Sequence, residues 1–242
     1  MCDMQKKVLL IIPCYNEEKR LDFRKFEGYN YHFLFVNDGS IDNTCEFIKT
    51  NLKENMYALN LEKNSGKAEA VRQGMLHAKT LPIYDDLDWI GFWDADLSTP
   101  LDEVQYFLAY SQLFSCNIDG IFGSRIYKLG SEIRRSFKRH YLGRLFASLV
   151  GIVLKIDSYD SQCGAKLFKK DIIDQTFNHP FISKWIFDVE IILRLKNKNI
   201  LECPLRGWMD VKGSKVRILK ESTRILKDIA NIKKKYISSD NK

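Results

Sequence analysis

An α/β protein is predicted, with a doubly wound parallel sheet in its first half. Three features of the 242-residue chain carry this. Short apolar runs recur through the first 123 residues, each ended by a cluster of Pro, Asn, Asp, Gly or Ser. Stretches with helical spacing of apolar residues lie between several of them. Polar residues gather just past the ends of the runs. Unalternating apolar runs suit strands buried on both faces, and strands alternating with helices build a parallel sheet.

Val8 to Ile12 is the first run, stopped by Pro13. Phe33 to Val36 is the second, followed at once by Asn37-Asp38-Gly39-Ser40. Asp42 or Ser40 can cap the helix that carries Cys45, Phe47 and Ile48. Tyr57 to Leu61 is the third strand, followed by Asn64-Ser65-Gly66. A helix is expected from about Lys67 to Ala78, with Ala70, Val71, Gly74 and Met75 on its apolar side. Trp89 to Trp93 is the fourth strand and ends at Asp94-Ala95-Asp96. Thr99 is expected to cap the next helix, with Pro100 at its first position and Asp102 in its acidic turn. Ile118 to Gly123 is the fifth strand. Beyond it the pattern changes. Residues 125 to 154 are basic, then helical and apolar. Ala165 to Phe168 returns to the sheet, Trp185 to Leu195 is an amphipathic helix, and Ile200 to Pro204 is a further strand. Val216 to Lys235 is a basic helix with Leu219, Ser222, Leu226 and Ile229 near one face.

The net charge of +7 is unevenly laid out. Residues 212 to 235 hold nine Lys or Arg against two acids, and residues 125 to 144 hold seven against one. An anionic partner at two defined places fits this better than a uniformly basic surface. A nucleic-acid binder built on the basic tail has no recognition module and leaves the acidic pair unexplained, so no nucleic-acid partner is expected. The six cysteines lack CxxC spacing and read as reduced, structural thiols. No run approaches the roughly 20 apolar residues of a membrane span, and the start lacks a secretory pattern. A cytoplasmic location follows as an expectation.

The sharpest chemical feature is the acidic pair. In an extended strand Asp94 and Asp96 would project to one side, at the carboxyl edge where open α/β sheets bind ligands. A divalent ion bridging to a diphosphate would relieve their repulsion, whereas a solvated loop is the plainer alternative. The turns hold neither a GxGxxG nor a GxxxxGK[ST] pattern, which excludes the dinucleotide fingerprint and the P-loop. Asp38 could accept from a base or ribose, or simply belong to a turn. Lys67 at a helix start could meet phosphate, or be a surface lysine.

Taken together, these motifs resemble the family 2 inverting glycosyltransferases, and within them the polyprenyl-phosphate glycosyltransferases, dolichyl-phosphate β-glucosyltransferases above all. Pro13-Cys14-Tyr15-Asn16-Glu17-Glu18, Asn37-Asp38-Gly39-Ser40-Ile41-Asp42, Asn64-Ser65-Gly66-Lys67 and Asp94-Ala95-Asp96 match the donor-side motifs. Ala68 stands where a glycine is usual. Gly123-Ser124-Arg125, Arg134-Arg135-Ser136, the run from Asp160 to Phe168, Trp185 to Glu190 and Gly213-Ser214-Lys215 match the acceptor side. The likeness runs from Val8 to about Lys227. It implies a GT-A fold: a Rossmann-like nucleotide-binding half fused to an acceptor half, with a mixed central sheet. One domain over residues 1–242 is expected, with a nucleotide-sugar half to about 123, an acceptor half from 124 to 215 and a basic helix from 216 to 242. The membrane helices of many such relatives are not present in this sequence, and Leu97-Ser98-Thr99 replaces the residues usual after the acidic pair.

The resemblance implies roles. Pro13, Tyr15, Glu17, Asp38 and Lys67 would line the nucleotide, and Lys215 would cover the diphosphate. Asp94 would lie near ribose or sugar and join Asp96 in holding Mg²⁺ or Mn²⁺. Gln162 would fix the donor sugar. Asp160 would orient the acceptor, or act as base if the acceptor is a hydroxyl. Arg125, Arg134, Arg135 and Arg139 would meet an acceptor phosphate. One of Asp188 and Glu190 would cap or brace Arg135. The implied reaction moves a hexose from a nucleotide sugar, UDP-glucose or else GDP-mannose, to polyprenyl phosphate. The alternative is a cytosolic transferase acting on a glycan or protein hydroxyl. A lipid acceptor implies peripheral attachment to an anionic membrane surface, through Leu145, Phe146, Leu149, Val150 and Val153 and the basic tail.

Overall fold

In the computed structural model, which describes residues 7–134, 137–210 and 218–238, the apolar runs become the strands of one sheet. The side chains of residues 137–142, 144–146 and 218–223 lie outside that description. Val8–Cys14 is β1, His32–Asp38 β2, Met56–Leu61 β3 and Trp89–Trp93 β4. Gly120–Ser124 is β5, Ala165–Lys169 β7 and Ile200–Pro204 β8. The sheet order is β3-β2-β1-β4-β7-β5-β8. β7 runs antiparallel to β4 and β5, and every other pairing is parallel. The mixed sheet is therefore present, with β7 as its antiparallel strand. Two short strands, β6 (Glu132–Arg134) and β9 (Gly207–Met209), pair separately.

Phe33, Phe35 and Trp93 pack on one side of the sheet, and Leu34, Val36 and Phe92 on the other. Both faces are thus buried, as the unalternating runs require. Helix α2 (Lys67–His77) lies against β1 and β2. Gly74 permits this approach, because a β-carbon there would meet Ile11 Cγ2 at 2.4 Å. The expected Thr99 cap is not made. Helix α3 begins at Asp102, and the Thr99 carbonyl instead accepts from the buried Trp93 indole at 2.8 Å. The buried indole is thereby satisfied, and the helix starts three residues later, beyond reach of the expected cap. Helix α1 (Thr44–Asn51) does receive help from Asp42, whose Oδ1 accepts from the Thr44 amide at 3.0 Å.

Beside the short α5 (Ile173–Phe177), which packs on α2, three more helices form a separate apolar cluster: α4 (Phe137–Leu154), α6 (Phe187–Arg194) and α7 (Ile218–Tyr236). Val150 and Leu154 point into it, so Val150 is core rather than a membrane-facing residue. Val153 also packs there, while Leu149 and Ile152 are exposed. Leu145 and Phe146 lie outside the described side chains. On α7 the inward face is Ile225, Ile229 and Ile232, and Leu226 is exposed. The expected face is therefore rotated, since Leu226 belongs to the outer side. No described helix is long and apolar enough to cross a membrane. Cys14, Cys45, Cys116, Cys163 and Cys203 are unpaired thiols, and burial pushes Cys163 up to about 11.

Candidate active site

The chain leaves β1 toward β2 on one side and lies beside β4 on the other, so the sheet's switch point falls between β1 and β4. Ligands of open α/β sheets bind outside the carboxyl ends there. Pro13 lies inside the end of β1, which runs on to Cys14 rather than stopping at the proline. Tyr15 and Glu17 stand beyond β1, Asp38 at the end of β2, and Asp94 and Asp96 just beyond β4. The fold thus gathers the expected donor-side residues at one sheet edge.

The first two loops are tied together. The Thr44 hydroxyl accepts from the Glu17 and Glu18 amides at 2.8 and 3.0 Å and donates to Asp42. Asn16, at a φ of 52°, exchanges hydrogen bonds with Ser40 and Ile41. Glu17 is buried and pairs with Arg20. Asp38 spends both carboxylate oxygens on the loop before α2, accepting from the Ser65 and Gly66 amides at 2.8 Å each. Burial raises its pKa against these bonds. Gly39 must be glycine, because a β-carbon would lie 2.4 Å from the Lys63 carbonyl carbon. Asp38 therefore shapes the Lys67 loop, a role the sequence did not suggest.

The acidic pair is not extended. Leu97 N donates to Asp94 O at 3.0 Å, which makes residues 94–97 a turn, and Leu97 has a φ of 49°. The period-two argument for Asp94 and Asp96 does not apply, yet both stay at the sheet edge. Asp94 meets Lys67 Nζ at 2.5 Å, while Asp96 accepts from the Ser98 amide at 3.0 Å and forms no ion pair among the described residues. Burial works to lower the Lys67 pKa, but Asp94, Asp188 and Asp96 outweigh it and raise it. No described group of three His, Cys, Asp or Glu is arranged to hold a metal. Hard carboxylate oxygens still suit Mg²⁺ or Mn²⁺, ions that commonly take further ligands from substrate phosphates and water.

The acceptor side meets this edge through the loop before β7. Asp94 N donates to Gly164 O at 3.1 Å, and a β-carbon on Gly164 would lie 1.9 Å from Asp94 Oδ2. Gly164→Ala is expected to displace Asp94 and cost about 1–3 kcal/mol of stability, read as a lowered Tm together with weakened nucleotide-sugar binding. An unchanged Tm and affinity would count against that close packing. Asp160 is gripped by Arg125, which donates from Nε at 2.6 Å, Nη2 at 2.8 Å and its amide at 3.0 Å. Burial disfavours its charge, but the Arg125 guanidinium dominates and holds the carboxyl at about 2. Arg125 also lies over the Trp208 ring at 5.5 Å. Its Nε and Nη2 are committed to Asp160, which leaves the outer guanidinium N–H groups for the expected phosphate contact. Arg134 is exposed on β6, and its partner strand β9 is tied to the acidic turn by Met209 N to Ser98 O at 2.9 Å. Arg135 and Lys215 lie outside the described residues, as does the Arg139 side chain.

The brace of Arg135 expected from Asp188 or Glu190 involves a residue outside the described ones. Asp188 pairs with the buried Lys166 at 2.6 Å. Glu190 accepts from the Ser183 amide at 3.0 Å and lies 3.7 Å from Arg194. A lone lysine inside the apolar run Ala165 to Phe168 was the signal for the first pair. Gln162 keeps a buried amide nitrogen with no partner among the described residues.

The profile described as Glycosyl transferase family 2 matches residues 9–177. The chain belongs to glycosyl transferase family 2. It is 32% identical to the dolichyl-phosphate beta-glucosyltransferase of Saccharomyces cerevisiae, across 94% of this chain and 74% of that protein. It is 27% identical to the Homo sapiens dolichyl-phosphate beta-glucosyltransferase, across 96% and 76%. Among solved structures it superposes with a TM-score of 0.66 on glucosyl-3-phosphoglycerate synthase from Mycobacterium tuberculosis in complex with Mn²⁺, uridine diphosphate and glucosyl-3-phosphoglycerate. That match covers 94% of this chain and 80% of the other at 14% identity, which bears on the fold alone. The family 2 chain thus has the GT-A-like fold that its motifs implied. Its family profile ends at residue 177, so α6, α7 and Asp188 lie outside the matched region while its partner Lys166 lies within it.

Proposed function

We propose that this chain transfers glucose from UDP-glucose to the phosphate of a polyprenyl phosphate, dolichyl or undecaprenyl, with inversion at C1. The carrying observation is the state of Asp160. A general base works best with a pKa near the working pH, and a carboxyl held at about 2 inside an Arg125 fork is a poor one. Nearby, Asp94 is paired with Lys67 and Asp188 with Lys166. An acceptor that arrives already ionised needs no base, and a phosphate monoester is such an acceptor. The names of the relatives above support the same substrate.

In this reading Pro13, Tyr15, Glu17 and the loop shaped by Asp38 hold the nucleoside. Lys67 neutralises diphosphate charge from the start of α2. Asp96, with Asp94, would hold Mg²⁺ or Mn²⁺, which when bound supplies positive charge to the departing diphosphate. An acceptor phosphate oxygen bonds to C1 from the face opposite the nucleotide. The C1–oxygen bond to UDP breaks, and its electron pair leaves on the diphosphate. Arg134 draws in the acceptor phosphate, joined by Arg135 and Arg139, and Lys215 covers the diphosphate. Short-chain polyprenyl phosphate with UDP-glucose is expected to give a lipid-linked product, and the matching polyprenol none. Transfer to hydroxyl acceptors but not to the phosphate would overturn the reading.

The same proposal places the chain on the cytoplasmic face of an anionic membrane. Leu149, Ile152 and Leu226 are exposed on α4 and α7, and Lys227, Lys233, Lys234 and Lys235 are exposed along α7. Each lysine near an anionic leaflet contributes about 1 kcal/mol, screened by salt. Removing α7 would also strip Ile225, Ile229 and Ile232 from their cluster, so charge reversal is the cleaner variant. Lys227→Glu with Lys233→Glu is expected to weaken sedimentation with anionic vesicles about tenfold or more at low salt and to leave the Tm unchanged. Binding indifferent to salt, lipid charge and these substitutions would remove the membrane from the proposal.

A further inference from the structure

Lys166 occupies a position where the sheet favours an apolar side chain. It stands on β7 between Phe92 of β4 and Phe122 of β5, in register with both, and is wholly buried. Its Nζ lies 5.4 and 5.3 Å from the two ring centroids. Methionine would fill that slot without a buried charge, so packing does not account for the ammonium. Its hydrogen bonds do. Nζ donates to Ser161 O at 3.0 Å, Cys163 O at 2.6 Å and Asp188 Oδ1 at 2.6 Å. The two carbonyls flank Gln162.

The rest of this loop is anchored independently. Asp160 is held by Arg125, the Asp160 amide donates to Glu202 at 2.6 Å, and Gly164 O accepts from Asp94. Against these satisfied groups, Gln162 Nε2 is buried without a partner among the described residues, two positions from the Gly164 contact with Asp94. An unpaired buried amide is costly, and a ligand hydroxyl would satisfy it.

We propose that Lys166 and Asp188 form a positioning pair that holds the Gln162 amide as a hydrogen-bond donor to a hydroxyl of the sugar in a sugar nucleotide. This rests on the reading of the chain as a sugar-nucleotide transferase. Lys166 touches no substrate in this scheme; it fixes the peptide on either side of the residue that does. Asp188 anchors the ammonium from α6 and so links that helix to the loop.

The test is a binding cycle on the full chain, by calorimetry with UDP and with UDP-glucose in excess Mn²⁺. The quantity read is the ratio of the two dissociation constants, which isolates the sugar. Gln162→Ala is expected to weaken UDP-glucose about tenfold and leave UDP unchanged, the size of one hydrogen bond. Lys166→Met combined with Asp188→Asn removes both charges while keeping the packing, and is expected to give a similar sugar-specific loss. Adding Gln162→Ala to that pair should cost nothing more, because the pair acts through Gln162. If the paired variant fails to fold, Asp188→Asn alone enters the same cycle, with a smaller loss that again does not multiply with Gln162→Ala. Multiplying losses, or equal loss of UDP and UDP-glucose, would overturn the positioning pair while leaving the transferase reading intact. A wild-type chain that binds neither ligand would overturn both.

Discussion

Asp96→Asn is expected to lower turnover more than about a hundredfold, because losing groups that merely orient a metal's ligands already costs 10–100-fold. The local geometry makes the substitution clean. Among the described residues Asp96 has no ion pair, and its Oδ1 accepts from the Ser98 amide, a bond that an Asn side-chain oxygen can also make. The turn and the Tm should therefore survive. Asp94→Asn gives a different signature. Asp94 is paired with Lys67 and packed on Gly164, so its loss releases Lys67 and disturbs the acceptor loop as well. Titration of activity with Mn²⁺ separates them. Asp96→Asn should need far more metal for its residual activity, whereas Asp94→Asn should lose kcat together with nucleotide affinity. Unimpaired turnover by Asp96→Asn would remove it from the metal site.

Much of this edge is legible in the sequence because it depends on short-range order. An apolar run followed by Asp94-Ala95-Asp96 reports a strand and then a charged turn, whatever the turn's dihedral angles. The angles themselves were not legible. Leu97 adopts a positive φ just where its amide closes a turn onto Asp94 O, which the spacing of two carboxylates does not encode. Pairings across long stretches were equally hidden. Arg125 and Asp160 are 35 residues apart and meet only because β5 and β7 are neighbours. The resemblance implied a phosphate contact for one and an acceptor-orienting or base role for the other, with no pairing between them. The face of α7 failed for a related reason. Its outward side is amphipathic too, with Leu226 among lysines, and only packing on α4 and α6 selects Ile225, Ile229 and Ile232.

Asp160→Asn is the second large effect, and its pH dependence discriminates between base and brace. The folded carboxyl sits at about 2, below its ordinary 3.8. A depressed acid contributes stability that is fully present above about pH 4 and is lost as the pH falls through about 2, here roughly 2 kcal/mol. The Asn variant lacks that acid-labile contribution. At neutral pH it leaves the Arg125 guanidinium buried and uncompensated, a cost of about 3–5 kcal/mol. A neutral double variant, Arg125→Met with Asp160→Asn, should recover much of the Tm but not the activity. Turnover in Asp160→Asn should fall about a hundredfold as the acceptor loop loosens. The acid limb of kcat/KM should nevertheless stay in place. That limb belongs to the acceptor, whose phosphate loses its second proton near pH 6. A base at residue 160 predicts the opposite: the limb vanishes once the carboxyl is gone, and it does not follow the acceptor's own ionisation. An acid limb that moves with the acceptor's pKa and ignores residue 160 leaves Asp160 one task, to hold Arg125 and the loop in register with Asp94.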